Sequence, residues 1–190
     1  MDNSVNSDLP PLSGDFTFSG GIYRDVYLVV SDQLHFDLLD YASSGVYLET
    51  PEINAENARV KIRESILNEH SRRRDFDVVS LIKDASGNVV GKGFSSMVLG
   101  PQEQTSFEQL SPRISQPKLW SPENPYLYSV STQIIDKESR KIIDEVVNPL
   151  GFRWFSFDSE EGFSLNGKAY KLIGSLRSPG ADCLGGDPYC

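Results

Sequence analysis

The sequence predicts an all-β protein, a two-layer sandwich of about seven to eight short antiparallel strands. Three observations carry this. Runs rich in β-branched and aromatic residues recur along the chain, each bounded by Gly, Pro, Asn, Asp or Ser. Two turn signals, Ser86-Gly87-Asn88 and Asn166-Gly167, sit between such runs. No stretch of 12 or more residues holds a convincing helical period.

The elements follow in order. "DVYLVV" from Asp25 and "VYLET" from Val46 read as strands. "ARVKIRESI" sets Val60, Ile62 and Ile66 against Lys61, Arg63 and Ser65, which is the alternation of a strand with one wet face. "FDVVSLIKDASGNVVGKGF" reads as a hairpin, and "TSFEQL" as a further strand. "YLYSVSTQIID" and "RKIIDEVV" pair across Lys137-Glu138-Ser139. "GFRWFSFD" and the hairpin "GFSLNGKAYKLIG" close the pattern.

Composition bounds the function. The chain has 190 residues, 38% hydrophobic and 24% charged, enough for one packed domain with extensions. A formal charge of −9 disfavours nucleic acid and anionic membrane as partners. No run of about 18 apolar residues exists to span a bilayer. "MDNSVNSDLPPL" lacks the basic and apolar regions of a signal peptide, so compartment stays unknown from the residues. Both cysteines, Cys183 and Cys190, lie in the last segment, so the body is expected to fold without disulfides or thiolate metal ligands.

Chemistry-bearing patterns are sparse. With only His35 and His70, a three-histidine zinc site is impossible, and no metal or cofactor is expected. No phosphate-binding glycine loop occurs. The acidic groupings Asp37 with Asp40, Glu49 with Glu52, and Asp158 with Glu160 and Glu161 read as solvated charges. They lack a companion base or oxyanion donor. Arg72, Arg73 and Arg74 could hold an anion, but read as an exposed turn balanced by Glu69 and Asp75.

Three stretches carry more information. In "FSGGIYRDVYL", Gly20 and Gly21 allow backbone angles that side chains forbid, and Arg24 beside Asp25 offers a planar multi-donor group suited to a junction. A solvated arginine at a strand start is the alternative. In "LWSPENPYLY", Pro122 and Pro125 stiffen the approach to a strand, and Asn124-Pro125 is a possible cis bond. Trp120, Tyr126 and Tyr128 read as core or interface aromatics, with a sugar-stacking platform as the rival. "GFRWFSFD" puts Phe152 and Trp154 on one face and Arg153, Phe155 and Phe157 on the other, as in a strand covered on both sides.

Together, "PPLSGDFTFSGGIYRDVYL", "LWSPENPYLYSV" and "GFRWFSFDSEEGFSLNGKAYKLIG" resemble glycoside hydrolase family 2, the β-galactosidase, β-glucuronidase and β-mannosidase group, in order and spacing. The resemblance implies an immunoglobulin-like sandwich over 25–152. Residues 1–24 would extend from a preceding jelly roll, and 153–190 would lead into a catalytic barrel. It implies domain-junction roles for Gly21, Arg24, Asp25, Trp120, Asn124, Pro125, Arg153 and Trp154. The family's catalytic glutamates lie on the barrel, beyond this chain, so the chain is expected to be an inactive structural domain. The implied parent cleaves terminal β-linked sugars with retention, β-galactosides first and β-glucuronides or β-mannosides after. Its partners would be the neighbouring jelly roll and barrel, with glycan contacted only through the parent and self-association arising from bared interfaces. By analogy the parent would be bacterial and periplasmic or secreted. An independent carbohydrate-binding or adhesion module is the rival reading. The final segment, "SLRSPGADCLGGDPYC", departs from the family's Asn-Arg-His continuation, with Arg177 its one matching residue and poor order expected.

Overall fold

In the computed structural model, which describes residues 25–174, twelve strands and no helix are found among the described residues. Val30–Lys171 forms one compact unit. Residues 25–29 and 172–174 belong to a second unit and carry no regular secondary structure. The strand expected in "DVYLVV" does not form: β-branched composition favours a strand only where a neighbour supplies a ladder.

The first sheet is built on β3 (Asn57–Asn68). One side of β3 pairs with β2 (Val46–Ile53) and, further along, with β1 (Leu34–Phe36). The other side pairs with β6 (Glu103–Leu110) and β7 (Ile114–Ser115). The second sheet runs β5-β4-β8-β9, with β4 Arg74–Lys83, β5 Val89–Leu99, β8 Tyr128–Asp136 and β9 Ile142–Leu150. All of these pairings are antiparallel. A third small sheet joins β10 (Phe155–Asp158), β11 (Gly162–Leu165) and β12 (Lys168–Ala169).

Period-two patterning builds the core. β3 turns Ala58, Val60, Ile62 and Ile66 inward, while β4 contributes Phe76, Val78 and Ile82, and β8 Tyr128, Val130 and Ile134. Phe36, Phe76 and Phe152 are fully buried, and each contributes about 2–3 kcal/mol relative to exposure. Two side-chain bonds stitch the sheets at one edge: the Phe36 N–H donates to Asp144 Oδ2 at 2.9 Å, and Asn148 Nδ2 to the Val46 carbonyl at 3.3 Å. The fold is thus the all-β, immunoglobulin-like sandwich that the sequence predicts.

Two local expectations are corrected. Asp37 is buried, not solvated, because Gln104 Nε2 and the Leu39 N–H donate to its carboxylate. Arg74 is not an exposed turn residue: it begins β4 and pairs with Asp136 at 3.0 Å. In "GFRWFSFD", Phe152 is buried in the sandwich, while all four residues of β10 are exposed among the described residues, the apolar surface expected where a neighbouring domain would cover the strand.

Candidate functional site

The best-organised polar and aromatic cluster lies at one end of the sandwich, where two of the sequence motifs meet. Leu119 and Phe152 form an isolated parallel bridge, and the Trp120 N–H donates to the Phe152 carbonyl at 2.8 Å. Gly151 makes this crossing possible. A Cβ there would stand 3.2 Å from the Trp120 indole, tighter than ordinary packing.

Above the crossing sits the β11–β12 turn. Asn166 and Gly167 both have positive φ, 53° and 75°, as a two-residue hairpin turn requires. The Asn166 side chain does the joining. Its Nδ2 donates to the Trp120 carbonyl at 3.0 Å, and its Oδ1 accepts from the Trp154 N–H at 3.2 Å. The Asn166 N–H in turn donates to the Trp154 carbonyl at 2.9 Å. Arg153 lays its guanidinium over the Trp120 ring at 4.5 Å, worth about 0.5–1 kcal/mol at a partly exposed position. Tyr170 Oη donates to Glu123 at 3.0 Å and closes the outer rim. Backbone donation, foremost, then the Tyr170 and Ser121 hydroxyls hold the Glu123 carboxyl below its ordinary range.

Beneath, Tyr126, Tyr128 and Phe152 stack edge to face, with ring centres 5.1 and 4.8 Å apart. Both tyrosine hydroxyls are engaged: Tyr128 Oη accepts from the Lys118 N–H and Tyr126 Oη from the Ala85 N–H. This arrangement packs rings into the sandwich rather than presenting a flat platform.

Of the residues singled out from sequence, the structure therefore brings Trp120, Arg153 and Trp154 together. Asn124 and Pro125 lie in the same loop but contribute backbone: Ser121 and Asn124 exchange hydrogen bonds, and the Asn124 carbonyl accepts from the Tyr126 N–H at 2.7 Å. The Asn124–Pro125 bond is trans, as are all the described peptide bonds. Asp25 accepts from the Tyr27 hydroxyl at 2.9 Å and belongs to the other compact unit. Gly21 and Arg24 lie outside the described residues, as does Arg177. In the sequence Asn166 carries only a turn signal; its bridging role depends on the spatial neighbour Trp120.

Beyond the junction, β10 and β11 display Phe155, Phe157 and Phe163, with ring centres 5.1–6.3 Å apart. Phe155 is 62% exposed and Phe157 70%. Elsewhere, a surface concavity of about 600 Å³ is lined by Arg72, Arg73, Arg74, Asp75, Asp136 and Lys137. Most of its cations are paired, Arg74 with Asp136, Arg73 with Asp75 and Lys137 with Asp77, which argues against an anion site. No group of three metal-ligating side chains occurs among the described residues.

Fold and site together define an immunoglobulin-like sandwich domain with a short hairpin module locked onto its end. Comparison with known proteins then specifies the family. The model of the glycosyl hydrolases family 2 matches residues 45–153. A β-glucuronidase of Bacteroides fragilis is 38% identical over 92% of this chain and 25% of its own length. A β-galactosidase of Bacteroides ovatus is 31% identical over 88% of the chain and 19% of its own length. The crystal structure of a Bacteroides uniformis β-glucuronidase superposes with a TM-score of 0.83 at 36% identity, covering 89% of this chain and 20% of that one. The chain belongs to glycosyl hydrolase family 2, and it spans a quarter or less of the length of these relatives.

Proposed function

We propose that this chain is the non-catalytic structural sandwich of a family 2 glycoside hydrolase. Residues 1–24 extend from a preceding jelly roll, 25–152 form the spacer, and 153–190 lead into the catalytic barrel. The observation that carries this reading is the aromatic cluster directly after the locked junction, with Phe155 and Phe157 exposed against a half-buried Phe163. Apolar aromatics displayed together on a short sheet are suited to cover by a neighbouring domain. Arg153, Trp154 and Trp120 then set the angle at which the chain leaves the sandwich.

The acidic groupings support the non-catalytic reading, since Asp158, Glu49 and Glu52 are engaged structurally. Asp158 accepts from the Glu160 and Glu161 N–H groups, which hold its pKa below the ordinary carboxylate range. Glu49 pairs with Lys61, and Glu52 with Arg59 and Arg113.

The parent is read as a retaining hydrolase of terminal β-glycosides. The motifs alone favour a β-galactoside. The relatives of higher identity carry the name β-glucuronidase, which moves β-glucuronides to first place and β-galactosides to second. Assay of the purified chain against chromogenic β-glucuronides and β-galactosides should give no turnover, and measurable hydrolysis would overturn the structural role. Titration with oligosaccharides, followed by tryptophan fluorescence, should show no saturable change. Saturable binding would favour a carbohydrate-binding module instead.

A further inference from the structure

At the centre of the sandwich the apolar pattern is broken. β3 places Glu64 inward between Ile62 and Ile66, with no solvent exposure. The opposite sheet answers with Ser80 of β4 and Thr132 of β8, which are register partners and also fully buried. Ser80 Oγ lies 3.3 Å from both Glu64 Oε1 and Thr132 Oγ1. Among the described residues, Glu64 Oε2 has no hydrogen-bond partner.

We propose that Glu64 is a proton-loaded tie between the two sheets: as a neutral acid it donates to Ser80 and lets the sandwich close, and on ionisation it weakens that closure.

The unpaired, fully buried position decides for the neutral form, since the hydroxyl chain itself can run either way, from Thr132 through Ser80 to Glu64 or the reverse. If the carboxyl proton goes to Ser80 Oγ, the Ser80 proton passes to Thr132 Oγ1, and the bare Oε2 is an uncharged carbonyl oxygen. An ionised Glu64 would instead bury a full charge against a single hydroxyl, with one oxygen unsolvated. No cation among the described residues compensates it. On β3 itself, Lys61 pairs with Glu49 of β2 and Glu108 of β6, and Arg63 lies over the Tyr47 ring of β2. On β1, His35 faces Glu69; just after it, Asp37 faces Gln104; on β6, Glu103 accepts from the Gly100 N–H. In the opposite sheet, Arg74 of β4 holds Asp136 of β8, and Asp77 of β4 holds Arg140. Asp75 of β4 is engaged with Arg73, while Asp144 and Glu145 of β9 accept from Phe36 and Ser131. Lys83 of β4 and Lys92 of β5 make no ion pair with Glu64 either, so none of these groups neutralises it. Burial, foremost, pushes the Glu64 carboxyl up to about 8, a bond that Ser80 can donate to the ionised form opposes the rise, and the negative Glu108 adds to it.

The direction follows from linkage. A carboxyl raised in the folded state binds its proton where the unfolded chain has lost it. Its stabilisation is complete below the ordinary pKa of 4.5 and fades as pH rises towards about 8. The test is urea unfolding of the 190-residue chain between pH 5.5 and 9, beside Glu64→Gln. The wild-type unfolding constant should rise by up to about tenfold per pH unit relative to E64Q, until the slope levels near pH 8. Referencing to E64Q removes the histidine contribution. Parallel profiles for the two proteins would overturn the proposal. If E64Q fails to fold, the carboxyl carbon of residue 64 is followed by NMR in the wild-type chain. A midpoint well above the ordinary glutamate range supports the tie, and one within that range sinks it.

Discussion

The side-chain amide of Asn166 donates to the Trp120 carbonyl across 3.0 Å, so a turn residue and a loop residue 46 positions apart share one bond. With its Oδ1 on the Trp154 N–H, one asparagine holds the two halves of the junction. Replacing Asn166 by Gly keeps the positive φ but removes both side-chain bonds. The expected loss is about 1–3 kcal/mol, confined to the hairpin. Amide hydrogen exchange should show Trp154 losing protection while Val78 and Val130 keep theirs.

Phe152→Ala tests the packing beneath the junction. Phe152 is fully buried with its ring centre 4.8 Å from that of Tyr128, so truncation leaves a cavity. A loss of about 3–5 kcal/mol in urea unfolding is expected.

Asp136 shows the opposite pH behaviour from Glu64. Backbone and hydroxyl donation by Ser139, then Arg74, lower its carboxyl to about 2. A depressed carboxyl stabilises the fold above its ordinary pKa of 3.8, and that contribution is lost as pH falls towards about 2. Asp136→Asn should therefore cost about 2 kcal/mol at pH 7 and progressively less towards pH 2. The measurement is the difference in unfolding midpoint between the two proteins across that range.

The aromatic surface of β10 should govern behaviour in concentrated solution. Phe155 and Phe157 are largely exposed, so changing both to Ser should alter folding stability by less than about 0.5 kcal/mol. Sedimentation velocity should show concentration-dependent association in the wild-type chain that the double variant lacks.

The wrong strand reading of "DVYLVV" and the right one of "ARVKIRESI" show what a local pattern can carry. Both stretches have strand-forming composition. Only the second alternates, and its inward residues meet a facing sheet. The edge strands Leu34–Phe36 and Ile114–Ser115 left no usable signal, because two or three residues are too few to show a period. Glu64 was equally silent: its position in the alternation marks it as inward-facing, but nothing local shows that the inward side is dry and without a cation.

By itself, the sequence determined the all-β class, the main hairpins and the family resemblance, since alternation, turn residues and ordered motifs are all properties of the chain read along its length. The tertiary structure alone decided that Trp120, Arg153, Trp154 and Asn166 converge, that Asp37 is buried, and that Glu64 faces Ser80 rather than water. Those outcomes depend on which residues distant in sequence meet across a ladder or between sheets, and on how much water that meeting excludes.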